Sequence, residues 1–348
     1  MKRLFISSPF IPLSFSGVTN KKFGFSSPKI YVLICFTFLF FITVLSFSHR
    51  TIYGIVIDEA GKAVEGARVR IQATTDYTLT DDKGAFQVEG IAFLNDGFIT
   101  AGKKNYFNGG EKLRAVKNNY QLMLKSVDNI DHKEYQWTPP HSIESSLEVK
   151  IKPCKSCHPE LHSQWAKSSH SLAAVNPVFI TLFSGVKNEI PFKKGLGFKN
   201  DFPQSNGTCV ACHVPAMALK DPFGSNLMEA TNIDKEGIFC DFCHKITGAF
   251  HDTMGGRPGV LSMEFTRPPI GGKQFFGPLD DVFPGPDSFS PLHSQSIICA
   301  PCHSGKFWGN KVYTSFDEWV LSPSAKKGET CQDCHMKPEG NLNHFAKI

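Results

Sequence analysis

The sequence predicts a multidomain chain: one N-terminal transmembrane helix, a small antiparallel β-sandwich, and a mostly α-helical and loop domain with little regular secondary structure. Three observations predict it. Residues 30–47 are an unbroken apolar run. Residues 51–125 hold short alternating segments punctuated by Gly and Asp turns. The pentapeptide Cys-x-x-Cys-His recurs five times between residues 154 and 335. The expected divisions are a basic segment 1–29, the span 30–47, the sandwich 51–125, a linker 126–150 and a final domain 151–348.

Ile30–Phe47 contains no charge in eighteen residues, just enough to span a bilayer as a helix. Lys2, Arg3, Lys21, Lys22 and Lys29 precede it with no acid among them. That flank predicts a cytoplasmic N-terminus, with everything after His49 exported. The chain is then a single-pass protein of the inner (cytoplasmic) membrane, its last domain in the periplasm or at the cell exterior. The competing reading is a signal peptide cleaved after Ser48, with Ser46 and Ser48 as the small residues. The length of the run and of its leader favours the anchor. Cys35 lies inside the run and reads as an apolar helix residue. The net charge of +5 resides in residues 1–29, because 30–150 carry 13 bases against 14 acids and 151–348 carry 19 against 18. Nucleic-acid binding needs a basic face and is excluded.

Ile52–Ile57 reads as a strand, and Gly61 supplies a turn in which a positive φ is cheap. Ala67–Ala73 alternates, with Val69, Ile71 and Ala73 on one face and Arg68, Arg70 and Gln72 on the other. Asp81–Gly84 is a second turn before Ala85–Val88, and further strands are expected near Phe98–Ala101 and Gln121–Leu124. Gly54–Asp58, Gly61–Ala67 and Thr80–Phe86 together resemble the carboxypeptidase regulatory-like (transthyretin/immunoglobulin-like) domain. The resemblance implies a spacer or adhesion module without catalysis. Residues 126–150, with Pro139 and Pro140, read as a linker in which His132 and His141 are solvated unless one reaches an iron.

Each Cys-x-x-Cys-His is the signature of one covalently attached c-type haem: two thiols form thioethers and the histidine ligates iron. The attachment residues are Cys154 and Cys157, Cys209 and Cys212, Cys240 and Cys243, Cys299 and Cys302, Cys331 and Cys334, followed by His158, His213, His244, His303 and His335. Zinc ribbons also use Cys-x-x-Cys pairs, but they do not need a histidine after every one. Five haem c groups in residues 151–348 make this a pentahaem cytochrome c domain, with porphyrin as much of its apolar centre.

The motifs start 55, 31, 59 and 32 residues apart, which pairs the second with the third and the fourth with the fifth. Two helices are expected. Pro159–Ala174 places Leu161, Trp165 and Leu172 on one stripe. Ser315–Leu321 has a Ser315–Glu318 capping box and buries Phe316, Trp319 and Val320. Gly255–Pro291 reads as a long ordered loop on haem edges. Five further histidines, His162, His170, His251, His293 and His344, match five sixth-ligand positions, so most haems are read as bis-histidine. On one helix, His162 and His170 point about 80° apart and serve different haems. Met217, Met254 and Met336 are weaker candidates.

His158-x-x-x-His162-x-x-Trp165-x-x-Ser168-x-His170, Asn176-Pro177-x-Phe179, Gly237-Ile238-Phe239-Cys240 and Tyr313–Trp319 before Cys331 resemble the multihaem cytochromes related to cytochrome c-554 of nitrifying bacteria. That superfamily includes hydroxylamine oxidoreductase and pentahaem nitrite reductase. The resemblance implies electron transfer through packed, mainly bis-histidine haems to a redox partner protein. Two features depart from the enzymes. No haem motif ends in lysine, and Tyr313 is the single tyrosine after residue 150. An electron-transfer protein is therefore favoured, with no catalytic residue assigned. The alternative is a multihaem oxidoreductase whose one open haem takes nitrite, hydroxylamine or a similar small species, with Arg257, Arg267 or Lys273 supplying charge. Those cations equally suit haem propionates. A third reading, an anchored quinol oxidase module, is opposed by the sandwich standing between haems and bilayer.

Overall fold

The computed structural model describes residues 49–91, 97–142, 152–185, 195–307 and 310–336. The described residues from Arg50 onward group as one compact unit. The chain is mixed α/β, with several small sheets. This corrects the expected architecture. Among the described residues no helix is long and apolar enough to cross a membrane. The longest described helices have eight residues, about 12 Å of rise against a hydrocarbon core of about 30 Å. The expected span Ile30–Phe47, its basic leader, Cys35, Ser46 and Ser48 lie outside the described residues, and the single-pass membrane placement has no support in the structure.

Seven strands form two sheets. They are β1 (His49–Asp58), β2 (Arg68–Ile71), β3 (Thr78–Leu79), β4 (Ala85–Ile91), β5 (Phe98–Gly102), β6 (Gly109–Lys112) and β7 (Asn119–Leu124). One sheet runs β4-β1-β7 and the other β3-β2-β5-β6. Period-two patterning explains the faces. Along β7, Tyr120, Leu122 and Leu124 are buried while their neighbours are exposed, and along β2 Val69 and Ile71 are buried. These side chains join Val56, Phe86, Ile99 and Ala101 in one apolar core shared by both sheets.

Two expectations are corrected here. β1 and β7 pair in parallel, in register from Tyr53–Asn119 to Asp58–Leu124, so the two-sheet module is not wholly antiparallel. Ala73 does not continue β2, because its φ of 63° turns the chain away. Gly61 does adopt a positive φ, +78°. The Asp58 carboxylate stabilises that turn by accepting from the N–H groups of Ala60 and Lys62 at 2.9 and 2.8 Å. The short β3 and the glycine-led β6 carry no sequence signal of their own.

The segment read as a linker packs against the rest. Trp137 meets Tyr135 and Phe239 edge-on, and the Pro139 and Pro140 carbonyls accept from Cys154 and Lys155 N–H. Beyond it, the helices are short. The helix starting at Pro159 ends at Ala166, because Ser168 and Ser171 hydroxyls take the carbonyls of Trp165, Ser168 and Ala166. Leu161 and Leu172 are consequently exposed rather than aligned on a buried stripe. Ser315–Leu321 is helical and buries Phe316, but Thr314, not Ser315, takes Glu318, and Val320 is exposed.

The stretch 255–291 is more structured than a loop. It contains β9 (Met263–Phe265), which pairs with β8 (Ile246–Ala249), and the parallel pair β10 (Phe275–Gly277) and β11 (Asp287–Phe289). Between β10 and β11 the chain passes through a cis Phe283–Pro284 bond. Its main contact is with the two-sheet module.

Candidate haem-binding sites

Four of the five motifs form a turn of α-helix: Val210–His213, Cys240–Cys243, Ala300–His303 and Cys331–His335. The first forms a 3₁₀ turn, Cys154–Ser156. Residues at i, i+3 and i+4 of a helix share a face, so one turn presents both thiols and the imidazole to the same side. The intervening residues help. Thr330 and Asp333 make a reciprocal cap on the last motif.

All ten described cysteines are free. Six of them meet in twos across motifs: Cys154 lies against Cys240, Cys212 against Cys302, and Cys299 against Cys331. Of the spacing-based pairing only the fourth and fifth motifs come together this way. The third joins the first and the second joins the fourth. Among the described residues no three His, Cys, Asp or Glu side chains converge as a metal ion requires. Burial pushes the Cys243 and Cys299 thiols up to about 12, each with help from a neighbouring thiol.

The motif histidines fit haem iron by their hydrogen bonds. His213 Nδ1 lies 3.1 Å from Ala173 O, and His244 Nδ1 lies 2.6 Å from Phe276 O. A carbonyl only accepts, so Nδ1 carries the proton in both rings and Nε2 keeps its lone pair. Burial holds the pKa values of His213 and His244 below the usual histidine value, which favours the neutral, ligating form. Phe179 stacks on His213 at 3.6 Å, fixing its plane. His335 is exposed.

The distal candidates divide. His293 lies parallel to His244, ring centres 5.8 Å apart. Burial and the adjacent His244 take its pKa down to about 4, and its Nδ1 is buried without a partner. His170 is 6.1 Å from His303. His162 is buried and touches His141, Nε2 to Nδ1 at 3.4 Å. His170 sits after the end of the helix carrying His162, so the argument from their separation on one helix does not hold. His251 is taken up by Asp317 at 2.8 Å and Ser304 at 3.1 Å. His344 lies outside the described residues. Met254 and Met336 are exposed, and Met217 packs on the apolar cluster. His132 sits between Asp128 and Glu134.

The tryptophan-to-histidine stretch has a clear task. Trp165 Nε1–H donates to Ile238 O at 2.8 Å, and Ile238 N–H donates to His170 O at 3.0 Å. A Cβ on Gly237, whose φ is +61°, would sit 2.5 Å from that same oxygen. Gly237-Ile238 therefore leads into Cys240 against the backbone of residues 165–170.

Two of the three cations named from the sequence have other partners. Arg267 is buried and grips Asp131 with Nε and Nη2 at 2.7 and 2.8 Å. Arg257 donates Nε–H to Leu261 O, and Lys273 is exposed. A pair that sequence reasoning passed over lies at the third motif. Lys245 and Asp241 are both fully buried and ion-paired, and Asp241 accepts from Tyr135 OH and Thr138 N–H at 2.9 and 2.7 Å. Their opposite charges at i and i+4 were the available signal.

Residues 153–245 match the family described as cytochrome c554 and c-prime. This stretch is a cytochrome c554-like segment, which supports covalently bound haem c and electron transfer. No curated protein matches the chain. Among solved structures it is similar to 3-chlorocatechol 1,2-dioxygenase from Rhodococcus opacus, at 13% identity and TM-score 0.17 over 23% of this chain and 60% of that one. It is also similar to a Bacteroides fragilis protein of unknown function, at 15% identity and TM-score 0.18 over 28% of this chain and 33% of that one. The chain thus covers less than two thirds of either.

Proposed function

We propose that this chain is a pentahaem c-type cytochrome that passes single electrons along mainly bis-histidine haems to a redox partner protein. Haem c supplies the one-electron chemistry when bound. The chain's residues would anchor it through ten thiols and orient His213 and His244 through their carbonyl partners. The observation that carries this reading is the hydrogen-bonding of His213 and His244, whose Nδ1–H groups donate to carbonyls and leave Nε2 for iron. His293, His170 and His162 are the favoured distal ligands. The two-sheet module is read as a carboxypeptidase regulatory-like domain.

One observation favours the second reading, an oxidoreductase with one open haem: His251 is held by Asp317 and Ser304. His141, beside His162, is likewise held by a carboxylate, Glu236 at 3.3 Å. Haem quantification of the intact protein should give five. Low-temperature electron paramagnetic resonance of the ferric protein should then show only low-spin haem, unchanged by nitrite or hydroxylamine. A high-spin signal that responds to either would establish the oxidoreductase instead.

A further inference from the structure

We infer that the two-sheet module positions the hydrogen bond that orients His244, and so sets the potential of the haem at Cys240 and Cys243. The inference rests on the reading of that motif as a haem site. It gives the module a role in electron transfer itself, beyond that of a spacer.

The path is a series of backbone pairings. The module's Phe107 forms a β-bridge with Ser288. Ser288 is the ladder partner of Phe276 in the β10–β11 pair. Phe276 then grips His244 twice: its N–H donates to His244 O at 2.9 Å and its carbonyl accepts from His244 Nδ1 at 2.6 Å. One strand pair therefore touches the module on one side and the motif histidine on the other.

The connection between β10 and β11 is clamped by side chains of the module. Arg70 Nη2 lies 2.7 Å from the buried Asp280 carboxylate. Gln72 Nε2 donates to the carbonyls of Asp281 and Phe283 at 3.0 and 2.7 Å. Ala73 N–H donates to Asp281 Oδ2 at 2.8 Å. The positive φ of Ala73, which ends β2 early, aims that N–H at the connection. Gly102 leaves room for the approach, since a Cβ there would sit 2.4 Å from Asp280 O. Its φ needs no glycine, so close contact is the reason for the residue.

The physical consequence follows from ligand basicity. A strong Nδ1–H bond to a carbonyl makes an imidazole a better donor to iron and favours the ferric state. Loosening the strand pair weakens the bond and raises the potential. Buried pairs of this kind hold one geometry, so the effect should be confined to one haem.

The test uses the full haem-loaded chain. Arg70→Ala and Gly102→Val each loosen the clamp from a different side, and Gln72→Ala is the milder variant should either fail to fold. Redox titration followed by electron paramagnetic resonance should show five haems retained. One component should shift upward by up to about tenfold in its one-electron equilibrium, about 59 mV, with a changed g-value, while the other four stay in place. Arg70→Lys, which keeps the charge but not the fork, should recover part of the shift. Five haems with all components at their wild-type potentials, in every variant that folds, would overturn the inference. Failure of the underlying reading is seen separately: the unmutated chain would then lack haem at Cys240 and Cys243.

Discussion

The two-sheet module and the segment that carries the haem motifs assemble their apolar cores differently. In the module, apolar side chains alternate along strands and close on one another, so Val56, Val69, Ile99 and Leu124 have no exposed surface. In the segment, Leu161, Leu172, Val178 and Leu182 are all exposed by about half or more, and the apolar core around Val210, Phe239 and Phe242 is gathered from short helical turns tied by backbone clamps and buried polar pairs. A fold can be specified by a periodic core or by fixed attachment points for a cofactor. This chain uses each in turn, and the first grips the second through Asp280 and Asp281.

The strongest way to break the comparison is to withhold haem. Expression without haem attachment should leave β1, β2, β5 and β7 protected in hydrogen exchange while residues 152–336 exchange at near-unfolded rates. Uniform protection across both regions would show that the segment needs no cofactor to fold. A smaller blow, aimed at one polar pair, is Lys245→Met. It leaves the buried Asp241 carboxylate without its cation and should cost about 3 kcal/mol in denaturant unfolding, with Tyr135 OH and Thr138 N–H limiting the loss.

How far the sequence disclosed each region follows from the same contrast. Strand alternation and turn aspartates put most module strands within reach, because those signals are local. The parallel pairing of β1 with β7 was not local, nor was β6, whose Gly109 and Gly110 carry no strand propensity. In the segment, motif spacing singled out the ten thiols and five histidines from the sequence alone, since haem attachment would demand that spacing. It did not reveal which motifs meet, nor that 255–291 folds onto the module, because Arg70 and Asp280 are 210 residues apart. The helix from Pro159 was overextended because serine hydroxyls competing for helix carbonyls act against a favourable apolar stripe.

Leu122→Ala sharpens the module's side. Its side chain is 1% exposed in the shared core, so truncation should cost about 2–4 kcal/mol while haem content stays unchanged. Loss of haem with it would mean the two regions fold as one cooperative unit.

The pH dependence of the contact between the regions is a finer probe. Burial raises the Asp287 carboxyl to about 6 from its ordinary 3.8, with Lys245 opposing the rise. The folded state then binds the proton more tightly than the unfolded chain. Stability attributable to this group is full below pH 4 and falls as pH rises to about 6, by at most about 3 kcal/mol. Asp287→Asn should flatten that slope in thermal unfolding.

The smallest effect expected is at Trp165. Trp165→Phe keeps the ring but removes the donor to Ile238 O, leaving a half-buried carbonyl without that partner and costing about 1 kcal/mol. If the clamp between 165–170 and Gly237-Ile238 aligns the third motif, the variant should also broaden the electron paramagnetic resonance signal of one haem. Gly237→Ala would act at the same place with more force, because its Cβ meets His170 O at 2.5 Å. A sharp, unchanged spectrum in both variants would show that the motif is aligned from the β10 side alone, through Phe276 and His244, and that the module's grip is the dominant constraint on that haem.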